Sequence, residues 1–303
     1  MTEIPIIDLS PFTSGDEAAR QAASAEIDRA AREVGFMYLK NYDVPPEVLE
    51  TMKATGRQFF SRSTEEKIRN AYNQEDNFGY GGMGSEALDP SKPRDLKETF
   101  TMRDATSHQN KIALWPDADF RDVAVDFFER CRGICAHVME GFARSLKLPH
   151  DFFVDKHTGL TQTLRLLHYP PAKATAEEQL GAGAHTDYGS CTLVFQDDSG
   201  GLEVQGLDGQ WVPAPPIEGT VVVNTGDLLA RWTNDVYKST PHRVKVRPEG
   251  AANGRLSVAF FNDPDPEVMV EVLDSCTSAD NPAKYPPITA HDHILERIAA
   301  SNA

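Results

Sequence analysis

The chain has 303 residues, 40% of them hydrophobic, which is enough to fill the core of one large domain or of two ordinary ones. Its 46 acidic residues outnumber its 30 basic residues and give a net charge of −16, so the chain lacks the basic surface that nucleic-acid phosphates require. No apolar run approaches the roughly 20 residues of a membrane span, and residues 1–30 are too charged for a signal peptide. We therefore expect one cytoplasmic domain that binds neither nucleic acid nor membranes.

Predicted helices alternate with short strands in the first half of the chain. Apolar residues recur three or four positions apart in the helical segments, and prolines and capping residues mark where several of them begin. The predicted strands cover 4–9 and 35–42, and the predicted helices cover 16–34, a segment opened by Pro45 and Pro46, a short segment capped by Ser63 or Thr64, and 119–145.

Residues 73–97 are rich in glycine and predict a long irregular loop. Phosphate binding by these glycines is not expected, because the segment lacks the GxxxxGK[ST] pattern. We expect an entrance loop that closes over a bound molecule.

Short β-branched and aromatic runs recur between turn signals from Thr161 onward. This spacing predicts an antiparallel sandwich or barrel. The expected fold is therefore mainly β with flanking helices around a double-stranded β-helix, or jelly roll, with region 1–120 packed on a core formed by 121–303. The predicted strands are 161–169, 190–196, 202–205, 211–213, 220–224, 243–247 and 255–261, with a tight hairpin turn at 197–201.

One short motif, His185-Thr186-Asp187, has the residue types of a metal site, and His242 follows 55 positions later. Alternation along a strand points His185 and Asp187 to the same face, and a neighbouring strand with His242 would complete the set. Three ligands on one face of an octahedral ion leave three positions open, as Fe(II) needs when it takes up a chelating oxoacid and O2. A structural zinc site would use four protein ligands, usually including Cys. These three residues are called the metal triad below.

A second pair follows the triad along the chain. Arg255 and Ser257 are spaced i, i+2 in a predicted strand, so one face offers a guanidinium and a hydroxyl together. The planar guanidinium binds carboxylates bidentately, and the serine adds one donor. The pair predicts a carboxylate receptor.

These residues resemble the non-haem iron, 2-oxoglutarate-dependent oxygenases, in particular the isopenicillin N synthase-like branch that includes plant hormone and flavonoid oxidases. The resemblance extends over nearly the whole chain. The matching segments are IPIIDL at 4–9, GFMYLKN at 35–41, HYPP at 168–171, GAHTDYG at 183–189, QDDSGGL at 196–202, NTGD at 224–227 and STPHR at 239–243.

The resemblance implies that the metal triad holds Fe(II), that Arg255 forms a salt bridge to the distal carboxylate of 2-oxoglutarate, and that Ser257 and Tyr169 donate to this cosubstrate. His168 departs from the Asn that plant members place there, so no cosubstrate role is assigned to it. The expected reaction is oxidation, by default hydroxylation, of a small organic molecule with release of succinate and CO2. We expect a monomer or a weak homo-oligomer.

Two other functions stay open. An oxidase of the isopenicillin N synthase type uses no oxoacid and retains the same Arg and Ser to hold a substrate carboxylate. A catalytically silent binding protein of the same fold is the third, although an intact triad and anchor argue against it.

Several other side chains have competing interpretations. The four cysteines lack Cys-x-x-Cys spacing and are expected to be free thiols, with Cys191 in the strand phase of Asp187 and facing the pocket. We expect a backbone group to satisfy His168. Arg165 either lines the pocket with Tyr169 or forms a structural ion pair. The tail histidines, His291 and His293, are expected to be solvated.

Overall fold

The computed structural model describes residues 3–89, 91–171, 179–246 and 254–301. Its strands form sheets of eight, four and two strands. Within the described ranges, no helix has the length and apolar character needed to cross a membrane.

The chain order of the elements places helices early and strands late, as the sequence predicts. The eight helices described are α1 (Ser10–Ser14), α2 (Glu17–Glu33), α3 (Pro46–Phe60), α4 (Thr64–Ile68), α5 (Ala105–His108), α6 (Ala118–Ser145), α7 (Asp227–Trp232) and α8 (Ala290–Ser301). The strands described are β1 (Ile6–Asp8), β2 (Phe36–Lys40), β3 (Phe78–Gly81), β4 (Glu98–Arg103), β5 (Thr163–Tyr169), β6 (Leu180–His185), β7 (Cys191–Gln196), β8 (Leu202–Gln205), β9 (Trp211–Pro213), β10 (Thr220–Thr225), β11 (His242–Lys245), β12 (Arg255–Asn262), β13 (Met269–Val270) and β14 (Ile288–Thr289).

The two larger sheets form the jelly-roll core that the sequence predicts. The large sheet has the order β1-β2-β10-β7-β12-β5-β4-β3, and the small sheet has the order β6-β11-β8-β9. A cluster of buried side chains from both sheets, including Phe36, Tyr38, Tyr169, Val204 and Val244, fills the space between them. The sheets therefore pack face to face around an interior that is partly polar.

A helical layer covers the outer face of the large sheet. Leu256, Val258 and Phe260 of β12 are buried in the same apolar cluster as the inner face of α6, which also packs on α2 and α3. Arg255 and Ser257 alternate with these apolar residues and therefore face the opposite side, between the sheets. The two faces of β12 therefore differ: the side chains on one face belong to the apolar core with the helices, and those on the other face are polar and lie between the two sheets.

Local sequence signals locate the early elements well. The Asp16 carboxylate accepts a hydrogen bond from Ala19 N and caps α2. Ser63 and Glu66 form a reciprocal capping box at the start of α4. Helix α6 buries one apolar side against the core, and Val123 is half-buried at its margin.

Two sequence predictions for loops are wrong. The stretch 73–97 is not wholly irregular, because β3 lies within it and pairs with β4, a strand that no alternating pattern indicated. The turn at 197–201 does not close a hairpin, because β7 belongs to the large sheet and β8 to the small one. Residue 247, the last of a predicted strand, lies outside the described residues.

Candidate metal centre

The metal triad lies where two strands of the small sheet meet. His185 is the last residue of β6 and pairs directly with His242, the first residue of β11, so their ring centroids are 4.3 Å apart. Asp187 Oδ1 lies 3.8 Å from Nε2 of each histidine. One ligand atom from each of the three residues falls within 4.8 Å of the others, so the group can hold a metal ion.

Asp187 is not on the strand that carries His185, contrary to the sequence prediction. Strand β6 ends at His185, and Asp187 lies beyond the end of the strand, just before a bend at 188–190. Two hydrogen bonds to Oδ2 fix the carboxylate there, from Thr192 Oγ1 of β7 at 2.6 Å and from Asn224 Nδ2 of β10 at 2.6 Å. The other oxygen, Oδ1, is therefore the one that faces the histidines, as expected for an oriented metal ligand.

The two imidazoles are oriented by backbone carbonyls. His185 Nδ1 lies 2.8 Å from Gly183 O, and His242 Nδ1 lies 3.3 Å from Thr240 O. With the proton assigned to Nδ1 in each ring, the Nε2 lone pairs face Asp187 and are free to ligate.

The electrostatics of the triad also suit a metal. Burial, reinforced by the nearby His242, lowers the pKa of His185 to about 3, so the ring is neutral at physiological pH. Burial alone would raise the pKa of Asp187, but His242, His185 and the two hydrogen bonds lower it, so the carboxylate is ionised. Two imidazoles and one carboxylate form the donor set typical of a non-haem Fe(II) site.

Arg255 forms a second polar group between the sheets, in the same interior as the triad. Its side chain is 1% exposed, and it donates from Nε to Gly200 O at 2.9 Å and from Nη1 to Ser257 Oγ at 2.9 Å. A longer contact of 3.5 Å joins Nη2 to Gln196 Oε1. Arg255 pairs in register with Tyr169, and its guanidinium carbon lies 4.9 Å from the Tyr169 ring centroid.

The Arg255 guanidinium forms no ion pair with any carboxylate of the described residues. Its charge lowers the pKa of the Asp197 carboxyl without forming an ion pair with it, so the guanidinium N–H groups can still bind an anionic ligand. The structure brings Arg255, Ser257 and Tyr169 together, and the space that they border is called the Arg255 pocket below.

The competing interpretations of two β5 residues are settled by their partners. Arg165 forms an ion pair with Glu86, on the same strand face as Tyr169. His168 lies on the other face, and its Nδ1 is 2.9 Å from Glu98 Oε1. The prediction that a backbone group is the hydrogen-bond partner of His168 is therefore wrong, because the partner is the Glu98 carboxylate.

Two further expectations are corrected. Cys191 does not face the pocket, because the bend after β6 interrupts the strand phase and places Cys191 in the apolar cluster with α6. All four cysteines are free and buried, as expected for the thiol state. In the tail, His291 is exposed but His293 is only 6% exposed, so the expectation that both are solvated holds for one of them.

Thr192 and Asn224, which orient Asp187, were not found from the sequence. Neither lies in a motif with metal-ligand spacing, and only the pairing of β10 with β7 brings them together. Asn224 follows three consecutive valines in the sequence. A polar residue at the end of such a run indicates a functional side chain only when the order of the strands is known.

Comparisons with known proteins agree with this geometry. A family model described as the N-terminal region of non-haem dioxygenases in morphine synthesis matches residues 4–118, and one described as the 2OG-Fe(II) oxygenase superfamily matches residues 160–264. The chain is 32% identical to the 2-oxoglutarate-Fe(II) type oxidoreductase ppzC of Metarhizium majus, over 98% of this chain and 87% of that protein. It is 33% identical to the proline hydroxylase buaE of Petromyces alliaceus, over 93% of this chain and 94% of that protein.

A solved structure is similar over the same extent. A full-length Neurospora crassa protein, crystallised in complex with alpha-KG and thymine, superposes with a TM-score of 0.88 at 35% identity. The match covers 98% of this chain and 97% of that one. Both halves of the chain therefore have counterparts in these proteins.

Proposed function

The chain belongs to the 2OG-Fe(II) oxygenase superfamily, and from this premise we propose which of its residues carry the reaction. In this proposal His185, Asp187 and His242 hold Fe(II). Arg255 and Ser257 bind the distal carboxylate of 2-oxoglutarate.

The enzyme oxidises a small organic molecule, with 2-oxoglutarate and O2 as cosubstrates and with succinate and CO2 as products. His185, Asp187 and His242 would hold Fe(II), which would supply the oxidative chemistry when bound. The protein residues bind, orient and exclude water.

The observation that carries the proposal is the buried, unpaired guanidinium of Arg255. Ser257 Oγ and Gly200 O fix its plane, and the N–H groups that remain are available to a carboxylate. Tyr169 packs against the guanidinium and completes the wall of the pocket, so we propose that its hydroxyl donates to the same ligand. These contacts would hold 2-oxoglutarate with its keto acid end toward the triad.

Replacement of Arg255 tests this assignment. In an Arg255→Gln variant we expect the KM for 2-oxoglutarate to rise by roughly 10²-fold or more, because loss of one partner from a buried ion pair typically costs about 3–5 kcal/mol. Iron affinity should change little, because Arg255 is not a ligand. The matched control is Arg243→Gln, which removes a partly exposed guanidinium paired with Glu203 and should leave the KM unchanged. Equal KM values in the two variants would contradict the role of Arg255.

We propose 2-oxoglutarate dependence over the oxoacid-independent oxidase, since the relatives are named as 2-oxoglutarate-dependent enzymes. The silent binding protein is disfavoured because the triad and Arg255 are intact. Oxygen uptake with substrate in the absence of 2-oxoglutarate would favour the oxoacid-independent oxidase. Full iron loading without turnover would favour the silent binding protein.

We propose a polar small molecule as the substrate and hydroxylation as its oxidation. The relatives at similar identity include a proline hydroxylase and a Neurospora crassa protein with bound thymine, so identity alone does not select a substrate. The charge of Lys97 acts on His185, and Lys97 pairs with Asp95 and with Glu86, which also pairs with Arg165, so charged groups lie close to the triad. A panel of amino acids, pyrimidines and apolar acids, screened for accelerated succinate release, tests this choice.

We also propose a cytoplasmic location, supported by the four free buried cysteines.

Regions 1–120 and 121–303 are proposed to work as one unit, which is supported by the pairing of β4 with β5 across the boundary. We propose that the chain is a monomer or a weak homo-oligomer and that it does not bind nucleic acid, which the net charge of −16 supports. Sedimentation velocity with and without added DNA tests the oligomeric state and the absence of DNA binding.

A further inference from the structure

A second cleft lies beside the metal centre, between α7, α8 and the segment 235–241. Its volume is about 620 Å³, which is enough for a small organic molecule. None of the metal triad residues lines it, and neither do Arg255, Ser257 or Tyr169. We call it the α7–α8 cleft, because residues of both helices form its walls.

Buried polar atoms of the cleft wall have no hydrogen-bond partner in the described part of the chain. They are Nε2 of His293, Oγ of Ser239 and Nε of Arg231. His293 is 6% exposed, and burial lowers the pKa of its ring, so the ring is neutral at physiological pH. Unpaired polar atoms of this kind are rare in native proteins, and a bound ligand is one of the explanations for them.

The charges on the cleft wall leave mainly donors available. Arg297 Nε pairs with Asp227 Oδ2 at 2.7 Å, and Lys284 pairs with Asp235 at 2.9 Å, so two of the acidic side chains are already neutralised. Lys238 forms no ion pair with a described residue. Together with Ser239 and Arg231 it offers donors on one side of the cleft, and Glu296 is the carboxylate that stays without a cationic partner among the described residues.

We propose that the α7–α8 cleft binds a small anion that carries a carboxylate or phosphate group, at a site separate from the Arg255 pocket. An excess of unpaired donors selects for an acceptor-rich ligand. Lys238 supplies the charge, and Ser239, Arg231 and His293 supply hydrogen bonds.

Two hydrogen bonds connect the cleft wall to the metal centre. Thr240, in the cleft wall, accepts through its carbonyl from His242 Nδ1. Asp227, in the same wall, accepts from Thr186 Oγ1, beside Asp187. The cleft is therefore a neighbour of the metal centre, although it is lined by different residues.

Calorimetric titration of the full chain tests the proposal. The protein is loaded with Fe(II) and saturated with 2-oxoglutarate under anaerobic conditions, so that the Arg255 pocket is filled. Inorganic phosphate and succinate are then titrated separately. We expect one of the two to bind with a stoichiometry of about one per chain, and the stronger probe identifies a phosphate or a carboxylate ligand.

Variants locate the binding. Lys238→Met and His293→Leu should each weaken it by roughly tenfold or more, since each removes a contact of the anion. His291→Leu is the matched control, because His291 is exposed two residues away on α8, and it should bind like the wild type. Lys238 is a half-buried surface residue, so its variant stays informative if His293→Leu does not fold. No binding of either probe, or binding that Lys238→Met leaves unchanged, would overturn the proposal.

Discussion

The orientation of the Asp187 carboxylate depends on two strands that the local sequence does not link to it. Thr192 and Asn224 both donate to Oδ2, so Oδ1 is held toward the histidines. Such partners of metal ligands typically change metal affinity by about 10–100-fold when they are removed. The sequence predicts the three residues of the metal triad, which the structure brings together, but it does not predict Thr192 and Asn224, because only strand pairing brings these two to Asp187.

Replacement of Thr192 with the isosteric valine should therefore weaken Fe(II) binding by about 10–100-fold while the fold is retained. The measurement is anaerobic competition for Fe(II) against a chromogenic chelator. Thr220→Val is the control, because its hydroxyl donates to Ile217 O, away from the triad. Unchanged iron affinity in Thr192→Val would show that the hydroxyl does not orient the ligand.

His157 makes the stability of the protein depend on pH. The ring is buried between Phe153 O at 2.7 Å and Ser190 Oγ at 3.0 Å. Burial, opposed in part by the hydrogen bond to Phe153, lowers its pKa to about 4. Between pH 6.5 and 4 the unfolded chain therefore binds a proton that the folded chain does not, so this contribution to stability is present above pH 6.5 and is lost as the pH falls.

A drop in pKa from about 6.5 to about 4 corresponds to roughly 3 kcal/mol of stability between those pH values. The glutamine of His157→Gln cannot be protonated. We therefore expect the free energy of unfolding to fall less between pH 7 and pH 4 in this variant than in the wild type, by up to roughly 3 kcal/mol. Urea titrations at several pH values measure it. His150→Gln, at an exposed position, should keep the wild-type pH profile. Identical profiles for His157→Gln and wild type would contradict this explanation.

At the scale of elements, the segment before β4 supports the strand that ends at His185. Lys97, 2% exposed, pairs with Asp95 at 2.6 Å, and Asp95 Oδ1 accepts from Gly183 N at 2.9 Å. Gly183 O in turn lies 2.8 Å from His185 Nδ1. A buried ion pair therefore connects to His185, a proposed iron ligand, through one residue of β6.

Replacement of Lys97 with methionine should destabilise the protein by about 3–5 kcal/mol, because the buried Asp95 loses its counterion and Glu86 loses one of its two cationic partners. Combining Lys97→Met with Asp95→Asn should recover part of this loss, since the amide oxygen can still accept from Gly183 N and Glu86 keeps its ion pair with Arg165. Urea denaturation gives the free energies, and Lys40→Met at the surface should change them by less than about 0.5 kcal/mol. If the double variant were as unstable as the single one, the ion pair would not be the cause.

The elements differ in how far the sequence predicts them. Helix α2 and the capped start of α4 follow from Asp16 and from Ser63, because caps and apolar spacing act locally. Strand β3 was not predicted, because it contains two glycines, and its Gly79 has a φ of +116° where a side chain would be strained. That strand is stabilised by its partner β4 and not by its own propensity. The role of 73–97 as a lid stays a prediction.

At the scale of the whole molecule, the sequence predicts the fold class and the ligand set but not which sheet each strand joins. Alternation shows that β7 and β8 are strands, and the turn at Gly200 and Gly201 looks like a hairpin. The chain instead passes there from one sheet to the other. This crossing brings Gly200 O to Arg255 and so helps to build the Arg255 pocket. Long-range pairing of this kind has no short-range signal.

Iron content and succinate formation, measured on the same samples of wild-type and Asp187→Ala protein, test the assignment of the metal triad. We expect wild-type protein to bind about one Fe(II) per chain and to form succinate only when 2-oxoglutarate is present. Asp187→Ala should lose both properties and keep its circular dichroism spectrum, because the triad residues are not part of either apolar cluster of the fold. Full iron content and full succinate formation in Asp187→Ala would contradict the assignment.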